Sequence, residues 1–118
     1  MSQLVATTMA AVILLSMIFH SDAAEATFIS IHWNSTTESK LKSVRLKQGG
    51  IINFVYEQFR HDVQQVNNQH NYDTCTFHYK DAYWCSGIDR IQLNQKGWHY
   101  FMCSYECPKG MKIKVNVV

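Results

Sequence analysis

Met111-Lys112-Ile113-Lys114-Val115-Asn116-Val117-Val118 closes the chain, and its reading decides the fold. Met111, Ile113, Val115 and Val117 fall on one face; Lys112, Lys114 and Asn116 fall on the other. A strict period of two is the signature of a half-buried β-strand, because successive side chains in a strand point to opposite faces. The same logic extends upstream. Residues 27–32 (TFISIH) read as a first strand, and Val44 and Leu46 alternate with Ser43, Arg45 and Lys47. Gly49-Gly50 is a turn signal before a β-rich run at 51–56 (IINFVY). Ile91 and Leu93 lead into Asn94-Gln95-Lys96-Gly97, which reads as a hairpin loop returning through Tyr100-Phe101-Met102. Many short strands with regular turns point to an all-β sandwich or barrel. The polar stretch 67–73 (NNQHNYD) reads as loop, and 80–86 (KDAYWCS) as irregular chain with room for a helical turn.

The N-terminal end is different. Residues 9–19 (MAAVILLSMIF) form an apolar run interrupted only by Ser16. A membrane span needs about 20 residues, so this run suits the apolar region of a secretory signal instead. Small residues follow, and residues 1–23 are assigned as signal peptide, with cleavage after Ala23 or Ala26. No Lys or Arg precedes the run, which is atypical. The remainder, 24–118, is one domain with enough length for a single core. No second apolar segment or lipid-anchor tail is evident, so a secreted, extracellular monomer is expected. Asn34-Ser35-Thr36 is a glycosylation acceptor that fits that compartment.

Lys and Arg number 11 against 9 Asp and Glu, a formal charge of +2. The basic residues form no cluster along the chain, which argues against a nucleic-acid partner. The mild excess suits an acidic polysaccharide or an acidic redox partner. No Ser/His/Asp spacing, paired carboxylates or zinc-protease motif supports an enzyme, and the aromatics Tyr79, Tyr83, Trp84, Trp98 and Tyr100 read as packing.

Four cysteines stand at 75, 85, 103 and 107. In a small secreted domain an even count first suggests two disulfides, with three connectivities open. A second reading starts from Cys103-Ser104-Tyr105-Glu106-Cys107-Pro108-Lys109-Gly110-Met111, with His61 far upstream. An imidazole, a thiolate and a thioether are the donor types of a blue-copper site, where thiolate and imidazoles hold copper in a trigonal plane and a Met sulfur binds weakly on the axis.

Around these residues the chain resembles the plant phytocyanins, especially the plantacyanin or basic blue subgroup. Residues 46–56 (LKQGGIINFVY) are similar to the family's R-x-G-D-x-L-x-F-x-Y segment, and Trp33 to the Trp of its N-terminal Gly-Trp. Arg60-His61-Asp62-Val63 resembles the H-D/N-V segment bearing the first copper histidine. Tyr72 to Cys75 resembles Y-x-x-C, 87–93 (GIDRIQL) resembles G-x-D-x-I-x-L, and 100–103 (YFMC) resembles Y-F-I-C with the copper cysteine. Gly110-Met111-Lys112-Ile113 resembles G-M-K-I with the axial methionine. The resemblance implies a cupredoxin-like Greek-key β-sandwich of two antiparallel sheets, a Cys75–Cys107 disulfide, and copper ligands His61, Cys103 and Met111. It also implies one-electron transfer with no covalent chemistry on a substrate, with a redox protein or cell-wall component as partner.

Two departures stand out. The family's C-x-x-x-x-H-C-x-x-x-M loop is here C-x-x-x-C-x-x-x-M, two residues shorter, with Glu106 at the position of the second histidine. A carboxylate is a harder ligand than imidazole. Glu106 is therefore a doubtful ligand, read otherwise as a solvated loop charge. His78 and His99 are other sources of an imidazole. Cys85 replaces the family's hydroxyl residue, and the register of a 91–93/98–102 hairpin places it near the 103–107 loop, within possible reach of Cys103 or Cys107. These departures leave an alternative: a copper-free recognition or structural module of the plant cell wall or cell surface.

Overall fold

The computed structural model describes residues 24–35 and 42–118. The signal-peptide assignment at 1–23 and Thr36 of the glycosylation acceptor lie outside these residues.

Eight strands form two sheets: β1 (Phe28–His32), β2 (Ser43–Leu46), β3 (Gly50–Val55), β4 (Val63–Val66), β5 (Ala82–Trp84), β6 (Ile88–Leu93), β7 (Gly97–Met102) and β8 (Lys112–Val117). One sheet has the order β1-β3-β6, the other β2-β8-β7-β4-β5. The chain crosses repeatedly between the sheets in Greek-key fashion, and the β-sandwich expectation holds. One part of that expectation is corrected. The sheets are mixed rather than wholly antiparallel, because β1 pairs with β3 and β2 with β8 in parallel, while the remaining ladders are antiparallel.

The closing strand behaves as its alternation requires. Ile113, Val115 and Val117 are buried, while Lys112, Lys114 and Asn116 are half-exposed on the outer face. Facing them across the sandwich, β3 buries Ile52 and Phe54 completely. Phe54 joins the layers: its ring centroid lies 4.9 Å from Trp33, edge-on, and 5.2 Å from Phe101 on β7. Such aromatic pairs add about 0.5–1.5 kcal/mol each beyond their area. Gly50 is required where β3 begins, since a Cβ there would meet the Lys47 carbonyl oxygen at 2.7 Å.

Three local readings change. Residues 94–97 do not close a hairpin. β6 pairs with β3 and β7 pairs with β4 and β8, so this loop carries the chain from one sheet to the other. β6 alternates and β7 grows steadily more buried toward Met102; Ile91 and Leu93 bury from one sheet and Phe101 from the opposite one. Period-two patterning cannot distinguish these two cases. Second, Gln69–Thr74, largely within the stretch expected to be loop, is a short helix, α1, begun by Asn68, whose side chain accepts a hydrogen bond from the Asn71 N–H at 2.8 Å. Third, β5 occupies the segment read as irregular. Among the aromatics expected to pack, Tyr79 (87 %), Tyr83 (51 %) and Trp98 (48 %) are substantially exposed.

Candidate metal centre

Two connections at one end of the sandwich bring the candidate ligands together. Residues 56–62 join β3 to β4 and carry His61; residues 103–111 join β7 to β8 and carry Cys103 and Met111. The second loop closes on itself where the Cys103 N–H donates to the Met111 carbonyl at 3.0 Å and the Cys107 N–H donates to the Cys103 carbonyl at 2.9 Å. Cys103 and Met111 are thus the two ends of one tight loop, and both are completely buried in the main core.

Asp62 fastens the two loops to each other. It is 1 % exposed. Its carboxylate accepts the Ser104 N–H at 2.7 Å and, through its other oxygen, the Ser104 hydroxyl. Its carbonyl accepts the indole N–H of Trp33 at 2.7 Å. A buried carboxylate is tolerable only when hydrogen-bonded in this manner. In the sequence Asp62 stands out only as the middle of a His-Asp-Val motif. The signal that would have found it is the short polar residue directly after a candidate ligand.

The outcome is a close approach of His61 Nδ1 to Cys103 Sγ, at 3.7 Å. Cys103 is a free thiol. Burial pushes its pKa up, and backbone N–H groups of Asp62, Tyr105 and Glu106 directed at the sulfur oppose that shift without overcoming it. The balance favours the thiol over the thiolate beside the imidazole. The His61 ring is half-buried and lines a surface cleft of about 480 Å³ together with His32, Trp33, Tyr56 and Arg60.

The Cys75–Cys107 disulfide is present and ties the ligand loop to the end of α1. Cys85 is a free, exposed cysteine, bonded to neither Cys103 nor Cys107. Glu106 is a loop charge only partly open to solvent, its side chain 25 % exposed. Its Oε2 is buried without a hydrogen bond, although it approaches the Lys109 ammonium at 3.5 Å. The two facts agree if the contact is an ion pair lacking hydrogen-bond geometry. His78 is stacked on Tyr79, and the His99 ring is held by Gln65 and the Gln95 carbonyl. Among the described residues, no three His, Cys, Asp or Glu side chains converge on one point. The donors present therefore match a copper site in type, namely one imidazole, one thiol and a buried thioether on the same loop, and fall one imidazole short.

A β-sandwich with an imidazole and a buried cysteine held together on two end loops is a cupredoxin-type domain. Residues 31–111 match the family model described as a plastocyanin-like domain. The basic blue protein of Cucumis sativus is 39% identical over 88 residues, which covers 73% of this chain and 90% of that protein. Among solved structures, spinach plantacyanin superimposes with a TM-score of 0.65 at 33% identity, over 77% of this chain and 99% of that one. Cucumber basic protein, a blue copper protein, gives 0.65 at 38% identity, over 74% and 91%. The chain belongs to the plastocyanin-like family, within its phytocyanin branch.

Proposed function

We propose that this protein is an extracellular one-electron carrier that holds a single copper through His61, Cys103 and Met111. The observation that carries the reading is the free, buried Cys103 thiol 3.7 Å from His61 Nδ1. Copper held there supplies a one-electron couple between its two common oxidation states. The protein's contribution is geometric. Asp62 and the Cys75–Cys107 bridge hold the two loops in place, so the donor atoms need little rearrangement when charge changes. The N–H groups of Asp62, Tyr105 and Glu106 favour the thiolate once the Cys103 proton is released. His61, at the wall of an open cleft, offers a short path from the buried sulfur to a partner at the surface. Secretion to the cell wall or cell surface is supported by the signal-like leader and the structural disulfide, which persists in oxidising compartments. Glycosylation at Asn34 fits the same location.

The test is a Cu(II) titration of oxidatively folded mature protein with parallel thiol counting. Two free thiols are expected before the metal, Cys85 and Cys103. Adding Cu(II) should produce a thiolate charge-transfer band and protect one thiol from modification. Cys103→Ser should abolish the band, and Cys85→Ser should leave it. No band in the parent protein would sink the carrier reading and leave the copper-free recognition or structural module.

A further inference from the structure

We infer that a lysine-lined cleft on the outer side of the five-stranded sheet binds a carboxylate-bearing polysaccharide. The cleft is about 560 Å³ and lies between α1, the end of the 103–111 loop and the β2–β8 edge. Its charged lining is Lys42, Lys109, Lys112 and Lys114 against one carboxylate, Asp73. The sequence showed no basic cluster because Lys42 immediately precedes β2 while the other three come from the chain's end; the parallel β2–β8 pairing brings them together, with the Lys114 N–H donating to the Lys42 carbonyl at 3.1 Å.

Two of the ammonium groups are held in place. Lys112 Nζ donates to the Tyr72 carbonyl at 2.8 Å and lies 4.6 Å from the centre of the Tyr72 ring. Lys114 Nζ stands 5.0 Å over the Trp98 ring. Asp73 is partly engaged, accepting from Gln69 Nε2 at 2.7 Å. Lys109 is paired with Glu106 at 3.5 Å, so the excess positive charge of the cleft comes from Lys42, Lys112 and Lys114, and like charges gathered in one concavity attract an anionic ligand.

The residue types choose among anions. Protein interfaces favour arginine and aromatic anchors and are depleted in lysine. Planar, bidentate phosphate recognition favours the arginine fork. No arginine lines this cleft, and its one aromatic, Tyr72, is buried at 6 % exposure beneath Lys112. Separated ammonium groups with Ser43, Gln69 and Gly110 among them suit a hydrated chain that alternates carboxylates and hydroxyls. Each contact is weak and salt-screened, and affinity accumulates along the polymer. The cleft is distinct from the His61–Cys103 site, so this inference stands whether or not copper binds.

The experiment measures binding of the folded mature protein to polygalacturonate across an ionic-strength series. Binding should weaken steadily as salt rises. Lys42→Gln with Lys114→Gln should reduce affinity by about tenfold or more, as expected for losing two charged contacts. Lys80→Gln with Lys96→Gln removes the same net charge away from the cleft and should change affinity less than about twofold. Near-UV circular dichroism establishes that both variants remain folded. The inference is overturned by equal losses in the two double variants, by equal binding of fully methyl-esterified polygalacturonate, or by equal binding of polyglutamate. The last result would identify the ligand as an acidic protein.

Discussion

The His61 imidazole and the Cys103 thiol lie 3.7 Å apart, although 42 residues separate them in sequence. At the position of the missing imidazole stands Glu106, whose carboxylate turns to Lys109 instead. Glu106→His restores a softer donor at that point in the loop. It should raise copper affinity by at least about tenfold, roughly 1.4 kcal/mol, read by competition with a chelator of known affinity. An unchanged affinity would mean that the shortened loop, not the ligand type, limits the site.

Asp62 connects the same two loops, and its loss should be felt first in stability. Asp62→Ala leaves the Ser104 N–H and hydroxyl without their charged acceptor, at a cost of about 2 kcal/mol, because Ser104 itself is exposed and its donors can turn to water. Asp62→Asn retains one acceptor oxygen and should cost about half as much. Urea unfolding checks this through a lower midpoint at unchanged slope. If the two variants unfold at the wild-type midpoint, the Asp62–Ser104 contacts do not hold the loops together.

Much of this was legible in the sequence for a definite reason. A strand that buries one face must alternate, so Ile113, Val115 and Val117 announced themselves, while the β3 run, buried almost throughout, was marked by its β-branched and aromatic composition after Gly49-Gly50. Pairing is a different matter. Alternation in β6 states which side chains are buried but not which sheet receives them, and two apolar runs joined by a short Gly-containing loop look the same whether they form a hairpin or a crossover. The α1 helix has only six residues, too few for a hydrophobic period, and its evident marker was the Asn68 cap. For the candidate site, residue types, their order and the family resemblance singled out His61, Cys103 and Met111, with the last two on one tight loop. The Asp62–Ser104 contact, the free state of Cys85 and the direction taken by Glu106 depend on side-chain placement across the fold, which spacing does not encode.

The Cys75–Cys107 bridge ties the ligand loop to the C-terminal end of α1. Cys75→Ser with Cys107→Ser should lower stability by about 2–4 kcal/mol, the usual range for removing a loop-closing bridge from a small domain. Hydrogen exchange should localise the loss, with amides of α1 and residues 103–111 exchanging faster while β3 and β6 keep their protection. Uniformly faster exchange throughout would show that the bridge supports the whole sandwich rather than the loop.

Tyr72 sets an alkaline limit. Burial first, and the neighbouring Asp73 carboxylate second, push its hydroxyl up to about 12 from an ordinary 10.0. The Lys112 ammonium lies over the ring at 4.6 Å and Tyr100 packs at 5.6 Å, so these groups also face it. Between the unfolded and folded values the native protein holds more protons than the unfolded chain, so stability falls as pH rises. The contribution is whole below pH 10 and is lost as pH climbs from about 10 to about 12. Tyr72→Phe keeps the ring and removes the titrating hydroxyl. Urea midpoints measured at pH 9, 10.5 and 11.5 should fall more steeply for the wild type than for the variant. Parallel slopes would refute the assignment and place the alkaline sensitivity on another group.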